Sequence, residues 1–166
     1  QLPGPQGTLF GSSSQTGTLV YVTNKPDPTG FSSQVDAELG TTEGGEESYD
    51  VSGHVNIPVT DSIAIRAVGF YSFEGGYVDN VLGGTLNDDT QDNSAIVESN
   101  QNDYTTWGGR IAARWQISPD WESTLSLITQ YAEAYGVWES DPALGDYKIT
   151  RFFDEYRDDN WYQTSL

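Results

Sequence analysis

The chain has 166 residues, with 25 Asp and Glu against 7 Lys and Arg, for a formal net charge of -18. No basic stripe exists to track a phosphate backbone, which excludes nucleic acid as an expected partner. Five Trp, ten Tyr and six Phe are too many for a solvating acidic tail, and the absence of Cys removes disulfides and thiolate metal sites.

The first eleven residues, QLPGPQGTLFG, are punctuated by Pro3, Gly4, Pro5, Gly7 and Gly11 and read as turns. Gly17 to Asn24 is a short β-prone run. Lys25-Pro26-Asp27-Pro28-Thr29-Gly30 then breaks it, because two prolines remove ladder donors and disfavour helix. This connector predicts a boundary between a first unit, residues 1–26, and a second, residues 27–166.

Beyond it the pattern alternates with period two. Residues 34–39 place Val35, Ala37 and Leu39 opposite Gln34, Asp36 and Glu38. After a Gly- and Glu-rich turn, Tyr49, Val51, Gly53, Val55 and Ile57 stand opposite Asp50, Ser52, His54 and Asn56. A turn at Pro58–Asp61 leads to Ile63, Ile65, Ala67, Gly69 and Tyr71 on one side of the next strand. A polar insertion, residues 74–103, precedes Trp107, Gly109, Ile111, Ala113, Trp115 and Ile117, which alternate with Arg110, Arg114 and Gln116. Ser118–Asp120 is another tight turn, and Trp121, Leu125, Leu127 and Tyr131 mark the strand after it. A second insertion covers residues 134–159, and Trp161 opens one more strand.

Short turns alternating with long loops are the layout of an outer-membrane barrel. Mid-strand charges (Asp36, Glu38, Arg66, Arg110, Arg114) suit a wet lumen and would be penalised by lipid, while aromatics near strand ends suit interfacial girdles. No run of 18 apolar residues occurs, but a membrane strand needs only about 9–11 residues. The same alternation also fits a soluble antiparallel sandwich with one face on a core. The membrane reading requires Val51, Ile65 and Leu127 to stay out of a dry centre, and Asp36 and Arg110 to face an interior.

Gly4-Pro5-Gln6-Gly7-Thr8-Leu9-Phe10-Gly11, followed by Gly17-Thr18-Leu19 and Tyr21-Val22-Thr23-Asn24-Lys25-Pro26, resembles the late-plug motif of TonB-dependent outer-membrane receptors. The GGYVDN at Gly75 to Asn80 and the stretches Ala64 to Tyr71 and Gly108 to Trp115 are similar to the early barrel of that group. The chain departs from the pattern at Pro3, where Arg is usual, at Thr16-Gly17, where two glycines are usual, and at Val20, where a basic residue is common. The resemblance implies an all-β antiparallel meander forming part of a large transmembrane barrel, with residues 1–26 ending its plug. It also implies an active-transport receptor for a siderophore, vitamin or oligosaccharide, with outer-membrane lipid, an inner-membrane energy-coupling protein and the remainder of the barrel as partners. Gly4, Pro5, Gln6, Gly7, Gly11 and Gly17 are then the plug-motif residues. Neither an initiator Met nor a signal peptide stands at Gln1, and a piece of a longer chain is expected.

Little points to catalysis. The carboxylates read as solvated loop charges, and His54, the one histidine, has neither Cys nor His beside it for a metal. The acidic stretch from Asn87 to Asp103 has the oxygens Ca²⁺ wants without the spacing of an EF-hand. Trp138, Tyr147, Phe152, Phe153 and Tyr156 in the second insertion are candidate ligand contacts, or pack that loop onto its neighbours. An acidic structural or adhesive β protein, soluble or filamentous, is the competing functional class. An acidic calcium-binding hydrolase domain is a third.

Overall fold

The computed structural model describes residues 2–4, 17–85 and 88–166. The elements in chain order are β1 (Leu2–Pro3), β2 (Gly17–Thr18), β3 (Ser32–Thr41), β4 (Glu47–Thr60), β5 (Ile63–Glu74), β6 (Asp79–Asn80), β7 (Gly84–Thr85), β8 (Asp88–Asp92), a 3-10 turn (Ser94–Ile96), β9 (Tyr104–Ser118), β10 (Trp121–Tyr135), β11 (Lys148–Ile149) and β12 (Tyr156–Ser165). Six of them form one antiparallel sheet in the order β12-β10-β9-β5-β4-β3. Chain neighbours are sheet neighbours throughout, so the sheet is a meander. It is open: β3 and β12 are its two edges.

Alternation and register agree. Leu127, Ile111, Ala67 and Val55 lie side by side across β10, β9, β5 and β4, and Leu125, Ala113, Ile65 and Ile57 form the adjoining row. Tyr131, Trp107, Tyr71 and Val51 make a third row nearer the long loops, with the Trp107 and Tyr131 rings 5.6 Å apart. The opposite face carries Glu122, Arg114, Arg110, Arg66, His54, Asn56 and Asp36. It also carries Val68, Phe70 and Ile128, so this face is mixed rather than wholly polar.

No layer covers the apolar face among the described residues. Leu39 is 86% exposed, Ile111 52%, Val51 45% and Leu127 43%. The buried hydrophobic side chains are instead Ala64, Val78, Ala112 and Ile149. Ala64 and Ala112 belong to the opposite face, and Val78 and Ile149 to the loops. A soluble sandwich would bury the large aliphatics and leave the charged face wet. Here the large aliphatics are exposed, and the charged face is covered only in part: Asn56 is buried, Arg66, His54 and Arg110 are half-buried, and Asp36 faces solvent.

The tight turns fall at Asp61–Ser62 and Pro119–Asp120. The first lies further along than the Pro58–Asp61 turn expected from sequence, because β4 continues through Pro58 to Thr60. A register shift at Pro58/Thr60 absorbs the proline's missing donor. Thr60 Oγ1 then accepts from the Ser62 and Ile63 backbone N–H groups and fixes the reversal.

The first long insertion spans residues 75–103, close to the expected 74–103, and the second is shorter than expected, since β10 runs to Tyr135 and β12 starts at Tyr156. They fold together into a cap at one end of the sheet. β6 and β11 pair in parallel across them, and buried asparagine side chains work beside a small apolar centre of Val78 and Ile149. Asn80 Oδ1 accepts from the Arg151 N–H (2.8 Å) while its Nδ2 donates to the Ile96 carbonyl (2.8 Å). Asn93 accepts from the Gly83 N–H and donates to the Val81 and Arg151 carbonyls. Asn102 Oδ1 accepts from both Tyr77 and Val78 N–H at 2.7 Å. All three are buried. Each satisfies loop backbone groups that have no ladder, which lets irregular chain pack closely. At the tightest crossing, a Cβ on Gly76 would stand 1.9 Å from the Asn100 carbonyl oxygen, so only glycine fits there.

Candidate functional site

The charged face of the sheet is crossed by an extended strap, residues 19–30, that follows β2. Only Gly17–Thr18 of the β-prone run pairs as a strand, with Pro3 and Leu2 of β1. Beyond Thr18 the chain leaves the ladder, and its later part is tied to the sheet by side chains. Arg110 Nη1 donates to the Asn24 carbonyl at 3.0 Å, and Arg114 Nη1 to the Pro26 carbonyl at 3.2 Å. Lys25 and Arg114 both pair with Glu122, at 2.7 and 2.8 Å. Pro26 is fully buried.

Asn56 completes the attachment. Its Oδ1 accepts from the Asp27 N–H, and its Nδ2 donates to the carbonyls of Asp27 (2.8 Å) and Gly30 (2.7 Å). The side chain is wholly buried, and three backbone groups of the strap depend on it. Asp27, itself exposed, in turn accepts from the Thr29 N–H and hydroxyl, which hold its carboxyl below the usual carboxylate range; slight desolvation opposes this and Arg114 adds a little to it.

Between strap and sheet lies a cleft of about 450 Å³ with Val22, Thr23 and Asn24 on one wall. Asp36, His54, Arg66, Phe70 and Ile128 line the other. Two arginines, a histidine and an aspartate facing one another around apolar patches can hold polar chain or a polar ligand. They do not form a nucleophile–base pair.

The cap has two clefts of its own. One, about 500 Å³, is lined by Glu98, Asp103, Asp154 and Glu155 together with Tyr135 and Tyr156. Burial pushes the Asp103 carboxyl above its ordinary range, its own backbone N–H pulls it part of the way back, and Glu133 raises it further. Among the described residues no group of three or more His, Cys, Asp or Glu is placed to hold a metal ion. The other cleft, about 240 Å³, lies over the charged face between Tyr104, Trp138 and Arg157.

The residues singled out from sequence do not converge. Gly4, with φ 84°, makes the bend after β1, and Gly17 opens β2. Pro5, Gln6, Gly7 and Gly11 lie outside the described residues. Trp138 borders the smaller cap cleft, and Tyr156 the acidic one. Tyr147 packs edge-on against Tyr77 at 5.5 Å, with a positive φ of 55°. Phe152 is half-buried, and Phe153 is 82% exposed. The strap contacts of Asn56, Arg110 and Arg114 were not legible as a site, since their partners lie 26 to 88 residues away.

No family model, curated protein or solved structure matches the chain.

Proposed function

We propose that this chain contributes the end of the plug and the first barrel strands of an outer-membrane active-transport receptor. Its cargo would be a scarce nutrient of the siderophore, vitamin or oligosaccharide class, and an inner-membrane partner would energise it. One observation carries the reading: the apolar face of the sheet is uncovered and bordered by aromatics, while the charged face is the one the chain folds back upon. Soluble monomers rarely leave contiguous apolar patches above a few hundred Å².

The dimensions support lipid as the missing layer. Trp115 and Trp107 mark two ends of β9 on the apolar face. They are separated by roughly 26 Å at about 3.3 Å per residue. A strand tilt near 40° reduces that to roughly 20 Å along the membrane normal, against an apolar band of about 25 Å in known barrels. The tight turns would face the periplasm and the asparagine-tied cap the outside. The strap would then be the covalent link between plug and wall, lying in the lumen. The resemblance of Thr23 to Pro26 to the end of the late-plug motif supports that reading.

An open edge in lipid is not viable, so β3 and β12 must meet further strands of the same barrel. The competing reading, an acidic structural or adhesive β protein, would use those edges to pair with other copies. Electrophoresis of the full-length protein, boiled and unboiled, separates the two. The transport reading expects partition into detergent and a mobility shift on heating. A protein that stays monodisperse in buffer without detergent would overturn it.

A further inference from the structure

We infer that the smaller cap cleft is a subsite for one neutral, hydroxyl-rich ring, a single pyranose of an oligosaccharide. This inference deepens the transport reading and rests on it.

Register builds the site. Tyr104, Ala134 and Arg157 lie in one row across β9, β10 and β12, and Thr106, Ala132 and Asp159 lie in the next. All project to the face that bears Arg110 and Arg114. The two alanines stop at Cβ and leave a recess between longer neighbours. Trp138, from the loop after β10, and Tyr104 complete its lining with Arg157 and Asp159. Arg157 donates to Asp159, and both side chains remain open to solvent. Trp138 is 62% exposed, so a ligand has indole surface to cover.

Each alternative ligand chemistry meets an obstacle here. At about 240 Å³ the recess is smaller than the roughly 300–1,000 Å³ of sites that enclose a drug-sized molecule, so it takes one ring rather than a whole metal chelate. Residues 75–103 contain six Asp and Glu with no Lys or Arg, and residues 136–155 contain five against Lys148 and Arg151. That field repels anions. A cation gains little at the recess itself, because Arg157 already neutralises Asp159. A purely apolar ring would cover that ion pair and return no hydrogen bond. A pyranose answers all of these: its C–H face lies against the indole, and its hydroxyls take the donors of Arg157 and the acceptors of Asp159.

The test uses the full-length protein in detergent, titrated by calorimetry with maltotetraose, xylotetraose and laminaritetraose, and with ferric citrate as the anionic comparator. At least one tetrasaccharide is expected to bind. Trp138→Ala should weaken it tenfold or more, Trp138→Phe less, and Ala132→Leu should abolish it by filling the floor. Heat-modifiable mobility, measured on every variant, reports that the barrel is intact. If the protein is heat-modifiable and no tetrasaccharide binds, or binding ignores both Trp138→Ala and Ala132→Leu, the subsite is wrong and the transport reading survives. If the protein is not heat-modifiable, the transport reading falls, and the subsite that rests on it falls with it.

Discussion

Asn56 shows how one buried amide can decide the course of a segment. It satisfies a donor and two acceptors that the strap cannot pair within itself. Leaving buried backbone groups without partners costs about 1–3 kcal/mol for each group. Asn56→Ala should therefore free the strap while the sheet stays formed, seen as faster amide exchange confined to residues 22–30. Unchanged protection there would refute the clamp. Two carboxyls give the molecule opposite responses to acid. Asp27 is held below its ordinary pKa, so its stabilising effect is complete at neutral pH and is lost as pH falls through its folded value. Asp103 is raised, so the folded state binds its proton more tightly than the unfolded one, and the cap gains stability as pH falls through that raised value. Asp103→Asn should make cap protection at neutral pH resemble that of the wild type in acid. An Asp103→Asn cap that remains as pH-sensitive as the parent would rule out this carboxyl as the cause.

Among the elements, β4, β5 and β9 were legible from sequence because one face of each is almost uniformly apolar. β12 was half hidden: Arg157, Asp158 and Asp159 form a charge run that masks the alternation, and the strand reads as starting only at Trp161. The cap was not legible as a folded unit. Asparagines that tie loops together have the same composition as asparagines that face solvent, and their partners are set by long-range contacts. Within the sheet, Gly109 is required by close approach: a Cβ there would stand 2.6 Å from the Val68 carbonyl oxygen. Gly109→Val should disrupt the β5–β9 pairing and abolish heat-modifiable mobility, whereas Gly40→Ala, where a Cβ meets only Ser48 Cβ at 3.9 Å, should not. Equal behaviour of the two variants would remove the packing argument.

For the whole molecule, the decisive contrast is between faces. Ile111 lies midway between Trp107 and Trp115, and a lipid-facing Arg at the bilayer midplane costs about 2–4 kcal/mol. On the proposed barrel reading, Ile111→Arg should thus lower the yield of assembled protein in outer-membrane fractions, while Ser52→Arg on the charged face should be tolerated. The reverse ranking would place water, not hydrocarbon, against Ile111. The open sheet has one more consequence. β3 and β12 are both ten residues long, and each leaves one side of its backbone without a ladder partner among the described residues. Produced alone in water, this segment would present two adhesive margins and a greasy flank at once. Its expected end state would be fibrils that bind thioflavin, and on the proposed barrel reading the native form would call for micelles together with strands that pair with both margins.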